Sequence, residues 1–542
     1  MTPARRVRVG HATIGIRPSI APAPEPLMPI DTPDWVRDAV FYQVFPDRFA
    51  RSGRVPAPGP LEPWDSPPTT YGFKGGDLPG IVDRLPYLAE LGVNALYLTP
   101  VFASASNHRY HAYDYLNVDP LLGGNAGLRE LLDAAHARGM RVVLDGVFNH
   151  TGRGFWPFHH VLETGASSPY RHWFHFDQAA LDAGRPVLAY PGAERRGGSG
   201  SVAASPSGPG DGSGSLERLG YRAWWDLPAL PKLNTSDPAA REYLLGVAEH
   251  WIRFGADGWR LDVPEEIADE SFWQEFRTRV RALNPQAYLV GEIWRVAPEW
   301  LRGDRFDALM NYPLAEAVLS YAGAGHFDEA LLRSHHEYGP NVHALDGPAF
   351  ASRLRDIDSA YDRAVTDAQL NLLDSHDSPR FHSLVGGDRA AYRMAMLLLA
   401  TLPGAPCIYY GDEIGLAGGL DPDCRRSFPT DEAQWDGELL EFIRAVLALR
   451  HREPALRRGS LAIVGAAGGA AAYERRLDDA RFVAAFNNSP QETRLRIQLA
   501  DAARCGLYPV DGFGSGASPT VADDGSVDVD IAARSGSLLR VA

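Results

Sequence analysis

Two carboxylates, Asp262 in DGWRLD and Glu292 in LVGEIW, each close a short apolar run that reads as a β-strand. On neighbouring strands such a pair can cleave a glycosidic bond. One acid protonates the departing oxygen while the other attacks or assists at the sugar carbon. Arg260 stands two residues before Asp262 and shares its face on an extended segment. A guanidinium there should hold Asp262 ionised, as a nucleophile must be. Glu292 sits among Val290, Ile293 and Trp294, where partial loss of water favours the neutral acid a proton donor needs. Adjacent strands run about 4.8 Å apart, and retaining enzymes hold their carboxyl pair at about 5–5.5 Å. A covalent glycosyl-enzyme with net retention is therefore expected.

Three further segments, DGVFNH (145–150), LLDSHDSPR (372–380) and SNHRYHAYDY (106–115), add acid, imidazole and phenol groups. Taken singly, each has an ordinary structural reading. An Asp–Arg pair braces a strand end, a lone His satisfies a hydrogen bond, and Tyr110 packs. Jointly they fall at the carboxyl ends of successive strands, where an active site lies in a closed parallel barrel. No structural need explains so many acids and imidazoles on one side. Asp145 is the exception, expected to brace Arg260 or a loop rather than react.

The elements that must position these groups follow a repeated strand–loop–helix pattern. Eight strand candidates are AVFYQVF (39–45), NALYL (94–98), RVVLDG (141–146), GWRLD (258–262), AYLVGE (287–292), FDALMN (306–311), QLNLLDS (369–375) and APCIYYG (405–411). Continuous apolar runs of this kind suit parallel strands buried on both faces. Between them lie amphipathic stretches such as 78–92, ended by Gly92, and 237–255, opened by Asp237 as N-cap and Pro238 at the first helical position. Eight such units close a (β/α)8 TIM barrel. The fold class is thus α/β, with an inserted subdomain after strand three and a C-terminal antiparallel β-sandwich. The expected divisions are an extended Pro/Ala-rich lead-in (1–34), the first part of the barrel (35–150) and an insertion with a Gly/Ser run (151–222). The rest of the barrel (223–456) and the β domain (457–542) complete the chain.

At 542 residues, 45% hydrophobic, the chain has ample core for more than one domain. Its formal net charge of −15 argues against nucleic acid or an anionic membrane surface as partner and suits a neutral sugar. Three scattered cysteines, Cys407, Cys424 and Cys505, offer neither a disulfide framework nor metal spacing, so a reducing, cytoplasmic setting is expected. No signal-peptide core and no apolar run of about 18 residues is present.

With these segments in view, the sequence resembles the α-amylase superfamily of glycoside hydrolases. DGVFNH, GWRLD, GEIW and the SHD of LLDSHDSPR match its ordered signature segments. YQVFPDRFA (42–50), KGGDLPGI (74–81) and YYGDEIGLAGG (409–419) match flanking blocks. Within it, LPKLNTSDP (230–238) and 291–314 resemble the neopullulanase, cyclomaltodextrinase and maltogenic amylase group. The resemblance implies a retaining enzyme cleaving α-1,4 links of maltodextrins, cyclodextrins or pullulan. Asp262 would be the nucleophile, Glu292 the acid/base, and Asp377 the group holding the 2- and 3-hydroxyls of the cleaved sugar. Arg260 would orient Asp262. His108, His150 and His376 would hydrogen-bond sugar hydroxyls, Tyr110 would stack on the ring, and Trp294 would meet the leaving-group side. Three departures stand out. Only about 34 residues precede the barrel where that group carries a β domain, leaving monomer and homodimer both open. Segment 51–65 is poor in the oxygen ligands of the group's calcium loop, although Asp77 remains, so no cofactor is called for and calcium stays open. Pro264 and Glu265 follow the nucleophile where related sequences vary. Neighbouring readings are an α-glucosidase or a transglycosylase of the same superfamily. A non-catalytic carbohydrate-binding protein should have lost one of the three acids, and all are here.

Overall fold

A computed structural model describes residues 26–191, 213–514 and 518–542. The lead-in through residue 25 and nearly all of the Gly/Ser run (195–215) lie outside the described residues. The eight expected strands form at β1 (Phe41–Val44), β2 (Ala95–Leu98), β3 (Arg141–Gly146), β4 (Gly258–Leu261), β5 (Tyr288–Gly291), β6 (Ala308–Leu309), β7 (Leu370–Leu372) and β8 (Ala405–Tyr409). They pair in parallel in the order β6-β5-β4-β3-β2-β1-β8-β7. A bridge between Met310 and Leu370 closes the ring. That seam is thin. β6 has two residues, and amide side chains supplement its backbone: Leu309 N donates to Gln369 Oε1 at 2.7 Å, and Asn311 Nδ2 to Asn371 Oδ1 at 2.8 Å.

Alternation along each strand sorts side chains into two cores. Phe41, Tyr97, Val143, Val290 and Leu372 fill the barrel interior. Tyr42, Leu96, Leu144, Trp259 and Leu289 face the surrounding helices. The helices include α1 (Leu78–Leu91), α2 (Gly124–His136), α3 (Pro238–Phe254), α4 (Glu270–Leu283), α5 (Tyr312–Ala322), α6 (Gly347–Ser359), α7 (Arg389–Thr401) and α8 (Gly437–Arg452). The expected caps are in place. Asp237 accepts from Ala239 N and Ala240 N, and Gly92 takes a left-handed φ of 97°. The residues GELLEFIRAVLALRHREPAL (437–456) read from their apolar spacing as one long helix, but the helix ends at Arg452 and a new one starts at Pro454. Proline disfavours a helical conformation at Glu453 and has no N–H to continue the ladder.

The described part of the insertion packs Phe158, Phe174, Phe176 and Tyr221 together and is stitched back by bridges such as Phe174–Leu233. A second excursion, 323–362 between β6 and β7, was not anticipated. It carries Glu329–Ser334, Tyr338–Asn341 and α6. In the tail, β9 (Ser460–Ala467), β10 (Ala470–Leu477), β11 (Ala480–Asn487), β12 (Thr493–Gln498), β13 (Leu507–Pro509), β14 (Ser526–Ile531) and β15 (Ser535–Val541) form two antiparallel sheets, β9-β10-β11-β15-β13 and β12-β14. Val483, Leu495, Ile497, Val529 and Leu539 share their core.

Candidate active site

Strand register assembles the acids. Asp145 pairs with Arg260 across β3 and β4, and Arg260 with Val290 across β4 and β5. Two residues on, Asp262 and Glu292 face the same interior at the strand ends. β4 approaches β5 so closely at its start that a Cβ on Gly258 would lie 2.2 Å from the Tyr288 carbonyl oxygen. Arg260 is fully buried and serves three carboxylates. Its Nη1 donates to Asp145 Oδ1 and Oδ2 at 2.9 and 3.0 Å and to Asp262 Oδ1 at 3.1 Å. Its Nη2 lies 2.9 Å from Glu292 Oε2. Asp145 also accepts from the hydroxyls of Tyr97 (2.7 Å) and Tyr110 (2.9 Å).

The loop after β7 supplies the third acid. Asp377 Oδ2 lies 3.0 Å from His376 Nε2, and Asp377 Oδ1 accepts from Arg425 Nη2 at 3.2 Å. His376 is wholly buried, its Nδ1 2.7 Å from Gln43 Nε2 of β1 and its Nε2 2.6 Å from the Tyr110 hydroxyl. Beneath the same loop Asp374 Oδ2 accepts from Phe381 N, while Arg380 Nη1 donates to Asp412 Oδ1 at 3.0 Å.

Electrostatics depart from the expectation that Arg260 alone would fix Asp262 as an anion. Burial raises Asp262 well above the ordinary carboxyl range despite Arg260, with the charges of Glu292, Asp145 and Asp377 adding to the rise. Burial raises Glu292 as well, again against Arg260, with Asp377 adding to the rise. Loss of water on burial outweighs Arg260, whose one positive charge is also divided among three carboxylates, a sharing across strands that neighbours along one strand do not reveal. Each of the two acids therefore gives up its proton less readily than an isolated carboxyl. Asp377 goes the other way. Burial pushes it up, but His376, Arg425 and Arg260 outweigh burial and hold it below the usual range.

These groups floor a cleft of about 1080 Å³. Of the residues singled out in the sequence, Asp262, Glu292, Asp377, His108, Tyr110, His150 and Trp294 line it. Arg260, Asp145 and His376 lie buried beneath them. Tyr110 lies parallel to the His376 ring, with centroids 5.4 Å apart. His150 stacks on Trp224 at 4.7 Å, and burial depresses its pKa to about 3, keeping the imidazole neutral. Trp294 lies flat on Tyr312 at 3.5 Å and donates from Nε1 to Glu292 Oε1 at 3.2 Å. Val263 takes φ 35°, ψ 54°, a strained conformation for a β-branched residue, and its N–H donates to Glu292 Oε2 at 3.2 Å. Arg425, Gln43, Tyr97 and Trp224 escaped the sequence reading. Only Arg425 carried a signal, as a cation shortly beyond the eighth strand.

The 51–65 loop does not fit calcium. Both Asp77 oxygens are taken, by Gly80 N at 2.7 Å and by Ser52 N and Oγ at 3.1 and 3.0 Å. The loop's carbonyls gather instead on an ammonium: the buried Lys74 donates from Nζ to Pro63 O at 2.6 Å, Ser66 O at 2.7 Å and Ser66 Oγ at 2.6 Å. Among the described residues, no group of three His, Cys, Asp or Glu side chains is placed to hold a metal.

Comparison with known proteins agrees with this architecture. The family profile described as alpha amylase, catalytic domain, matches residues 43–458. A cyclomaltodextrinase of Geobacillus thermopakistaniensis is 42% identical over 436 residues, covering 80% of this chain and 66% of the relative. Neopullulanase 2 of Thermoactinomyces vulgaris is 39% identical, covering 87% and 73%. The solved native form of the Nostoc punctiforme debranching enzyme superposes with a TM-score of 0.81 at 41% identity, covering 95% of this chain and 100% of that one.

Proposed function

The chain belongs to the alpha-amylase family of glycoside hydrolases, and on that footing we propose that it cleaves α-1,4-glucosidic bonds of maltodextrins, cyclodextrins or pullulan with retention of configuration. The observation that carries this is the single buried guanidinium holding Asp262 on one nitrogen and Glu292 on the other at the cleft floor. Asp262 Oδ1 is bound to Arg260, whereas Oδ2, itself buried, makes no hydrogen bond, so its lone pairs are unengaged. Glu292 turns Oε2 to Arg260, leaving Oε1 to carry the proton that goes to the glycosidic oxygen. The bond from sugar carbon to leaving oxygen breaks as the bond to Asp262 forms. Water, deprotonated by Glu292, then releases the sugar. Asp377, held anionic by His376 and Arg425, accepts hydrogen bonds from sugar hydroxyls.

A second reading, cleavage at α-1,6 branch points, draws on the name of the Nostoc enzyme. Products from pullulan decide: panose marks α-1,4 cleavage and maltotriose α-1,6. Release of the α-anomer supports retention, and the β-anomer refutes it. Thiol cysteines among the described residues, Cys407 and Cys424 buried, support a cytoplasmic location. No helix among the described residues is long and apolar enough to cross a membrane.

A further inference from the structure

We propose that Glu316, Asn341 and Arg353 form a second sugar-binding position on the leaving-group side of the cleft, one helical turn beyond Trp294. This rests on the proposed glycosidase reading. The cleft containing Asp262 and Glu292 runs past Trp294 and is lined there by Glu316, Asn341 and Arg353. Tyr312, the platform under Trp294, opens α5, and Glu316 lies four residues later on the same helix face. One turn advances about 5.4 Å, so Glu316 follows Trp294, which rests on Tyr312, along the cleft wall. Glu316 is only 4% exposed and is the one charged residue in a helix otherwise filled with buried, mostly apolar side chains. Packing alone would favour an apolar residue here, because a buried carboxylate is costly to keep.

Asn341 Nδ2 donates to Glu316 Oε1 at 3.1 Å, and Arg353 Nη2 stands 3.7 Å from Glu316 Oε2. Both partners come from the 323–362 excursion. A carboxylate, an amide and a guanidinium side by side present acceptors and donors together. That is the complement of vicinal hydroxyls on a neutral sugar, each of which both donates and accepts. The position would take the second sugar of the departing chain.

The test compares kcat/KM on maltohexaose with kcat/KM on 4-nitrophenyl α-maltoside, whose aryl leaving group ends short of this position. In Glu316→Ala, Asn341→Ala and Arg353→Met the ratio of long to short should fall about tenfold, the loss of one hydrogen bond to a charged or strongly polar partner. Glu316→Gln should restore part of it. An unchanged ratio, whether rates hold or fall together on both substrates, overturns the proposal. Asn341 and Arg353 sit on separate helices and keep the test open should Glu316→Ala fail to fold. If the parent chain hydrolyses neither substrate, the glycosidase reading itself falls and this position with it.

Discussion

Replacing Glu292 by Gln keeps the shape of the side chain and removes its proton. The amide oxygen can face Arg260 and Val263 N, the partners of Oε2. The amide NH2 then meets Trp294 Nε1, donor against donor, and the 3.2 Å bond is lost. That costs about 1 kcal/mol of net hydrogen bonding, small beside the cost of burying an acid that must ionise. A positioned general acid contributes roughly 10²–10⁴ in rate, or about 3–5 kcal/mol of barrier at about 1.36 kcal/mol per tenfold. Turnover of maltotriose and β-cyclodextrin should fall by that factor. With α-maltosyl fluoride, whose leaving group needs no proton, glycosylation should fall much less. An equal loss in the glycosylation step on both substrates would show that Glu292 supports the fold or the nucleophile and donates no proton. Stability gives an independent reading. Burial raises Glu292 above its ordinary value of 4.5, so the folded chain holds a proton that the unfolded chain releases. That contribution is complete below 4.5 and is lost as pH rises through the folded value. The melting temperature of Glu292→Gln should therefore gain on the parent as pH climbs through this window. A melting temperature of Glu292→Gln that falls relative to the parent's as pH rises contradicts the raised acid.

Asp262→Asn should behave alike in stability, gaining on the parent above its ordinary value of 3.8, while activity falls by several orders of magnitude as the nucleophile is lost; scanning calorimetry at several pH values checks the first and steady-state rates the second. Arg425→Gln takes away a cation that helps hold Asp377 low, so the Asp377 carboxyl should titrate at higher pH in the variant, followed by carboxyl-carbon NMR; an unmoved titration would remove Arg425 from that role. Lys74→Met strips the donor from three loop oxygens and should cost about 2–4 kcal/mol by urea unfolding, whereas EDTA should leave the parent's melting temperature unchanged. A chelator-sensitive parent would contradict the closed ammonium cage.

The barrel was legible because its strands are buried on both faces and so read as mostly apolar runs, followed by the polar residues that reach the cleft. Asp262, Glu292 and Asp377 could be located for that reason. The sharing of Arg260 could not, because sequence shows neighbours along β4 and hides those on β3 and β5. The 323–362 excursion was missed since Glu329–Ser334 and Tyr338–Asn341 are too short to establish a helical period. Arg425 sits in an aperiodic loop where nothing but its charge marks it. The break at Pro454 was visible in the residues and was overridden by the apolar rhythm on either side.

The seam between β6 and β7 makes the cylinder uneven in stiffness. Asp262 and Glu292 stand on staves joined by full ladders, and α5, which bears Tyr312 and Glu316, hangs from the shortest stave beside the slackest joint. Opening is easiest where backbone bonds are fewest. Backbone amides should therefore exchange first at this joint, while α5, buried along its whole length, keeps the wall facing the departing sugar in place.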